Sequence, residues 1–416
     1  MSIVARSNQP TLKLKYAVEL RRNRIEGSDS ELPYVGLENI ESGTGRLIPT
    51  ASPQGTEREA PSAGGESLSA VFNSGDILFG KLRPYLAKVW IAEFKGRCST
   101  ELLPLRPEML DARFGLYVML SRQFIDAVDA STFGSKMPRA DWDFIGNLPI
   151  PFPSKRQQSN VARFLDRETA DIDALIVAKQ RLLDLLAEKR RVIVAEAIMR
   201  GLNSAAPLRP SGIDWLGDIP AHWAIERSRW LFRERDERSD TGAEEMLTVS
   251  HLTGVTPRSE KDVNMFEAES TVGYKLCFAG DLVINTLWAW MGAMGTARVD
   301  GIVSPAYNVY TPGPRLLPDY VDSLVRIPVF AQEVTRYSKG VWSSRLRLYP
   351  EGFFETYWPV PPLDEQREIV SRIAVETAKI DQLRAASENS VALLKERRSA
   401  LIAAAVTGQI DIQEAT

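Results

Sequence analysis

The stretch "ETADIDALIVAKQRLLDLLAEKRRVIVAEAI" (residues 168–198) returns, altered but recognisable, as "ETAKIDQLRAASENSVALLKERRSALIAAAV" (residues 376–406). The offset is 376 − 168 = 208, half of a chain of 416 residues. In the first copy Ile172, Leu175, Leu182, Leu186 and Ile193 follow alternating steps close to three and four. Ile380, Leu383, Leu394 and Leu401 take the matching places in the second. This is the seam pattern of a coiled coil. Lys179 and Lys189 interrupt the first seam, and Ser387, Ser390 and Arg397 the second. Polar seam positions cost stability but fix register and partner. Because both stripes break at equivalent layers, the two helices are expected to pair with each other.

The duplication extends upstream. Each helix follows a proline-punctuated strand and a short lead-in, "LPIPFPSKRQQSNVARFLDRET" and then "WPVPPLDEQREIVSRIAVET". Pro149 and Pro151 answer to Pro359 and Pro361, and Arg156-Gln157 to Glu365-Gln366. Proline keeps the backbone extended and separates the strand from the helix. Earlier still, "NSGDILF" (73–79) matches "FAGDLVI" (278–284), and Ser99 follows the first at the same distance as Ser304 follows the second. "LKYAVELRRNR" and "SRWLFRERDER" share a texture. The turn-rich segment "NSAAPLRPSGIDWLGDIPAHW" (203–223) is the natural joint between halves. The expected organisation is an α/β recognition domain at 1–152 and a spacer helix with the joint at 153–206. A second such domain follows at 207–361, and a second spacer helix at 362–412.

A helix from about Ser154 to Arg200 is close to 70 Å long at 1.5 Å per residue. No small globule buries such a rod. Antiparallel pairing sets one globule at each end, related by an approximate twofold axis, and the rod becomes a ruler. Two similar but non-identical heads at a fixed separation suit a bipartite target, of which duplex DNA is the obvious case.

At this point the residues resemble a known family. The "PxPP…EQ" lead-in, the repeated "ET…ID.L…LL.EKR…I" helix, the "GD(I/L)" strand and "WLGDIPAHW" look like those of the specificity subunit of type I restriction–modification enzymes. The likeness is strong in both helices and at the joint and loose within the two variable domains. The first lead-in has "KRQQ" where the second keeps the more usual "DEQR". The resemblance implies two target-recognition domains of twisted sheet and small helices, each reading half of an interrupted DNA sequence. It implies paired helices that separate the domains and dock two methyltransferase subunits. Those partners carry S-adenosylmethionine and methylate adenine. An ATP- and magnesium-dependent restriction subunit completes the assembly. On this reading the chain has no cofactor of its own and does no chemistry.

Composition limits the alternatives. No apolar run approaches the roughly 20 residues of a membrane helix, and "MSIVARSNQP" lacks a signal-peptide core, so a cytoplasmic protein is expected. Cys98 and Cys277 are isolated, and His222 and His251 are the only histidines. A thiolate metal cage, a zinc site or a histidine-based triad has almost nothing to draw on. A net charge of −3 neither advertises nor excludes nucleic-acid binding, because a local basic face matters more than the total. "GDILFGKL" (75–82) fits the spacing of a phosphate-binding loop, but Leu82 stands where a Ser or Thr must hold magnesium. Asp76, Glu93 and Lys95 are spaced like a metal-dependent nuclease centre. Their counterparts are Asp281, Arg298 and Asp300, so that set is not repeated. A nuclease, or a two-headed scaffold binding protein or carbohydrate, remains as an alternative. No (N/D)PP(Y/F) methyltransferase segment is present.

Two loops in each half are the candidates for reading DNA. The GD strand leads into "GKLRPY" (80–85), offering Lys81, Arg83 and Tyr85, and into "NTLWAW" (285–290), offering Asn285, Trp288 and Trp290. Arg83 and Lys81 suit guanine or phosphate, and Asn285 suits adenine. The second loop reads "TFGSKMPRADW" (132–142) and "YSKGVWSSRLRLYP" (337–350). It supplies Lys136 and Arg139, then Lys339, Ser343, Arg345 and Arg347, chiefly for phosphates. Gly134 and Gly340 permit close backbone approach.

Overall fold

A Gly-Asp turn organises each half. The computed structural model describes residues 9–26, 32–48, 68–260, 270–340, 346–410 and 412. Gly75 and Gly280 take φ of +87° and +95°, a left-handed conformation that a side chain resists. The next residue folds its carboxylate back onto the turn. Asp76 accepts the Asn73 amide at 2.7 Å, and Asp281 accepts the Phe278 amide at 2.9 Å. Each carboxylate also receives an arginine from an earlier segment, Arg21 Nη2 at 3.0 Å and Arg235 Nε at 2.9 Å. The chain then enters a strand buried along its whole length, Ile77–Gly80 or Leu282–Asn285. The segment with phosphate-loop spacing is therefore a turn and a strand.

The sheets around these strands have one topology. In the first half the antiparallel order is Val18–Leu20, Leu102–Pro107, Ile77–Gly80, Val89–Ile91. In the second it is Phe232–Arg235, Tyr307–Pro312, Leu282–Asn285, Met294–Thr296. Two short helices cover each sheet, Ala112–Leu120 with Arg122–Asp129, and Pro318–Val325 with Phe330–Tyr337. Phe79 meets Phe124 edge-on in the first core, while Phe330 and Trp358 pack in the second. Further small sheets complete each half. One is a four-stranded sheet in which Tyr34–Val35 runs parallel to Gly96–Ser99.

The proline strands close each half onto its own beginning. Pro149–Pro151 pairs with Thr11–Lys13, and Tyr357–Val360 with Ala224–Arg227. The long helices follow, Lys155–Arg200 and Leu363–Val406. Their first turns shift the correspondence between the two lead-ins. Gln158 is fully buried; it donates to the Pro153 carbonyl at 2.9 Å and accepts the Asp111 amide at 2.8 Å. Gln366, also fully buried, donates to the Pro361 and Arg315 carbonyls and accepts the Leu317 amide at 2.9 Å. Gln158 thus answers to Gln366 and Pro153 to Pro361, which is the helix offset of 208. The pairings of Pro149 with Pro359 and of Arg156-Gln157 with Glu365-Gln366 were displaced by two residues and by one.

The chain forms two compact units, Met1–Gln180 with Glu388–Thr416, and Arg181–Ser387. Each unit contains part of both long helices, and within each they run antiparallel. In the first, Val161, Ala162 and Leu165 share a core with Ile402, Ala405 and Val406, while Asp173 meets Arg398. In the second, Ala197 and Ile198 share a core with Ile369 and Ile373, while Arg190 meets Asp381.

The seam differs in detail from the one read off the sequence. Ile172, Leu186 and Ile380 are buried, and Ile193, Leu394 and Leu401 are half-buried. Leu175, Leu182 and Leu383 are exposed, and their places inside are taken by Ile176, Leu183 and Arg384. Arg190 and Arg398, not Lys189 and Arg397, carry charge into the seam. The helices bear leucines on more than one face, so steps of three and four fit more than one stripe. The adjoining domain selects which stripe is covered.

Candidate nucleic-acid interface

In both units the fold ties the two candidate loops together by the same backbone bonds. In the first, the Ala140 amide donates to the Lys81 carbonyl at 3.0 Å. In the second, the Leu348 amide donates to the Thr286 carbonyl at 3.2 Å. The second loop of each pair is pinched shut by reciprocal backbone bonds, Phe133 with Arg139 at 3.1 Å and Lys339 with Arg347 at 2.9 Å. Gly134 at φ +93° and Gly340 at φ +158° lie inside these pinches. The scaffold that presents the loops is duplicated although their side chains differ.

The first loop of each pair rises into a single 3-10 turn, Pro84–Leu86 or Ala289–Met291. Arg83 and Ala87 flank the former with φ of 49° and 47°. Left-handed backbone at two non-glycine residues costs of order 1 kcal/mol each and is held by its surroundings. The Arg83 amide donates to the Pro138 carbonyl at 2.8 Å, and the Ala87 amide to Pro84 at 2.8 Å. In the second unit Gly292, at φ +84°, ends the matching turn without that cost.

The side chains divide into outward and inward sets. Arg83, Tyr85 and Lys136 are exposed in the first unit, beside the exposed Phe133 and Met137. Lys81 is half-buried. Arg139 is engaged by Glu101, with Nε 3.1 Å from both carboxylate oxygens, so it braces the loop. In the second unit Lys339, Arg347 and Trp288 are exposed, and the half-buried Trp290 stacks on Trp288 with centroids 6.4 Å apart. Asn285 departs from the expectation that it reads adenine. It is only 7% exposed, donates to the Tyr307 hydroxyl at 3.1 Å and accepts the Leu287 amide, so its side chain supports the loop from within. Ser343 and Arg345 lie outside the described residues. Residues that sequence reasoning missed include Phe133, Leu287 and Met291, apolar side chains left exposed on these loops.

The nuclease-like spacing does not assemble a centre. The Asp76 carboxylate is occupied by Arg21 and the Asn73 amide, whereas Glu93 and Lys95 are exposed. Among the described residues no group of three or more His, Cys, Asp or Glu side chains is placed to hold a metal ion. Among them, too, no helix is long and apolar enough to cross a membrane.

No protein-family model matches the chain. The chain is 31% identical over 104 residues to the specificity subunit of the type I restriction enzyme EcoDI from Escherichia coli. That match takes in 25% of this chain and about a quarter, 23%, of the relative's length. Among solved structures, a chain of a type I restriction–modification system, studied for complex assembly and conformational transition, is similar with a TM-score of 0.68 and 20% identity. The similarity covers 96% of this chain and 98% of that one. The HsdS subunit from Thermoanaerobacter tengcongensis is similar with a TM-score of 0.51 and 17% identity, over 96% and 97% of the two chains. The resemblance to the type I restriction–modification specificity subunits therefore holds in sequence over a quarter of the chain, and the fold over nearly all of it is theirs.

Proposed function

We propose that this chain is the DNA-specificity subunit of a type I restriction–modification complex, in which each unit reads one half of a gapped duplex target. The observation that carries the reading is the duplicated loop scaffold: the same backbone closure, presenting Arg83, Tyr85 and Lys136 in one unit and Trp288, Lys339 and Arg347 in the other. A recognition device that must read two unlike half-sites needs a constant frame and variable tips. Basic residues on the pinched loops supply phosphate contacts, and the 3-10 tips face base edges. The target-recognition domains are residues 1–152 and 207–361, and the length of the long helices sets the gap.

Two methyltransferase subunits are the partners, and through them a restriction subunit. Support for docking lies on the long helices, where Leu175, Leu182, Leu185, Leu383 and Leu393 are exposed. Exposed apolar side chains on these helices are available to a protein partner. S-adenosylmethionine belongs to the methyltransferase, and ATP with magnesium to the restriction subunit; this chain supplies recognition and no catalytic group. A two-headed scaffold for protein or carbohydrate lacks a comparable observation in its favour.

The test is the methylation pattern of DNA from cells making the chain with its methyltransferase subunit. A two-part adenine motif with a fixed gap is expected, and its absence sinks the reading. The ruler is tested by adding four residues after Gln180 and four after Ser387, the points where the two units divide. Each unit keeps its own contacts, and the helices lengthen by about 6 Å. The methylated gap should grow by about one to two base pairs. An active variant with an unchanged gap refutes the ruler.

A further inference from the structure

We propose that the two tips read by opposite chemistries: the first unit's half-site contains a guanine met by Arg83, and the second unit's half-site contains thymine methyl groups met by the indole face of Trp288. This rests on the DNA-reading function proposed above and adds the base chemistry of each half-site.

The second tip has almost no means of hydrogen-bond readout. From Asn285 to Ala297 the chain carries no charged side chain. Asn285, the one amide there, is buried with its donor on Tyr307 and its acceptor on the Leu287 amide. The Trp290 indole N–H is committed to the Leu287 carbonyl at 3.1 Å. What the tip turns outward is almost wholly apolar: Leu287, Met291, and Trp288 at 52% exposure, whose indole N–H is its one polar group. The two indole planes lie within 23° of parallel. The result is a broad fixed platform rather than a single wedge of the kind that enters between base pairs. In the major groove the one apolar group that identifies a base is the C5 methyl of thymine. The flanking loop, joined to the tip through Leu348 and Thr286, supplies Lys339 and Arg347 for the phosphates on either side. An apolar patch rimmed by cations is complementary to a groove floor bounded by phosphates.

The first tip differs at the equivalent position. Arg83 is exposed, and among the described residues its guanidinium has no hydrogen-bond or ion-pair partner. Its backbone is held in the left-handed region by the Pro138 carbonyl, which pins the point from which the side chain departs. A guanidinium free to present two parallel donors matches N7 and O6 of guanine, the commonest specific pairing in the major groove.

The test uses the full chain bound to its methyltransferase subunits. A bipartite motif is first selected from random duplexes, and single atoms of that motif are then changed. Replacing thymine by deoxyuridine removes only the methyl group, and replacing guanine by 7-deazaguanine removes only the N7 acceptor. Uracil should weaken binding roughly fourfold per contacted methyl in one half-site. 7-Deazaguanine should weaken it roughly fivefold or more in the other half-site. Trp288→Ala should abolish the uracil effect alone, and Arg83→Ala the 7-deazaguanine effect alone. Binding by the unaltered chain that is insensitive to uracil in both half-sites, or to 7-deazaguanine in both, overturns the inference while leaving DNA reading intact. Failure to select any motif overturns the underlying function as well. Because the analogues are tested on the unaltered chain, poor folding of a variant does not obscure the result.

Discussion

Asp173 and Arg398 stand 225 residues apart in the chain, yet Arg398 Nε donates to the Asp173 carboxylate at 2.9 Å. The same guanidinium donates to the Gly43 carbonyl at 2.7 Å, so a surface loop of the first unit closes over the helix pair. Moving each residue by the repeat offset of 208 gives Asp381 and Arg190, which face each other in the second unit at 3.7 Å. The pair is conserved by the internal repeat, but its surroundings are not. Arg398 and Asp173 are 10% and 9% exposed, whereas Arg190 and Asp381 are 42% and 52% exposed.

Burial decides what each pair contributes. Removing one member of a buried ion pair strands its partner and the carbonyls it served, at a cost of several kcal/mol. Arg46 still neutralises Asp173 from 2.7 Å and limits the damage. Arg398→Ala is therefore expected to destabilise the protein by about 2–3 kcal/mol. Arg190→Ala should cost at most about 1 kcal/mol, since an exposed pair is screened by water and salt. Urea midpoints of the two variants provide the comparison, and equal losses contradict the argument.

The helix lead-ins allow a second test. Gln366 is fully buried with both donors on carbonyl oxygens and its acceptor on the Leu317 amide. Gln366→Ala leaves these three groups without partners and should cost about 2–4 kcal/mol. Gln366→Glu is nearly isosteric but replaces the two donors with a second carboxylate oxygen facing two carbonyls. At neutral pH it should be the more damaging change, and the gap should narrow in acid as the carboxyl gains a proton. A Gln366→Glu variant more stable than Gln366→Ala at neutral pH shows that the carbonyls do not depend on those donors.

The repeated helix, the Gly-Asp strand and the helix lead-in were legible because each imposes a local pattern: apolar periodicity, a left-handed glycine with a folded-back aspartate, a proline-bounded strand. The seam register was not, and the reason lies in "EKRR" (188–191) and "KERRS" (395–399). Adjacent basic residues look alike to any periodicity, and what draws Arg398 inward is the Gly43 carbonyl and Asp173, more than two hundred residues away. The reading loops show the same limit. Their positions follow from the repeat, but nothing in the local sequence shows that Glu101 engages Arg139 or that Tyr307 engages Asn285. Side-chain partners set by long-range contacts leave no trace in local spacing.

The two cysteines are expected to be chemically silent. Cys98 and Cys277 are fully buried in small sheets, and burial pushes both thiols up to about 12. The thiolate is the reactive form, so almost none is present near neutral pH. A thiol reagent such as a maleimide should leave the native protein unlabelled and modify both cysteines once it is unfolded. Intermediate labelling rates then report the opening of one small sheet at a time. Rapid labelling of either cysteine in the native protein is incompatible with this packing.

Glu333 supplies a pH dependence with a definite sign. It lies on the helix Phe330–Tyr337, is 1% exposed, and accepts the Tyr357 amide at 2.9 Å through one carboxylate oxygen. Burial raises its pKa above the ordinary glutamate value, against the opposing pull of the Tyr357 N–H and the nearby Arg336. A raised folded-state value means that the native protein holds this proton more tightly than the unfolded chain does. Its contribution is then fully present below the unfolded value, declines as pH rises through the folded value, and is absent above it. Glu333→Gln preserves an acceptor for the Tyr357 amide and removes the titration. The variant should therefore gain stability over the wild type at about pH 8, with the difference shrinking toward about pH 4. Urea unfolding of both proteins at the two pH values measures this directly. A variant no more stable than wild type at the higher pH means that the Tyr357 N–H and Arg336 outweigh burial.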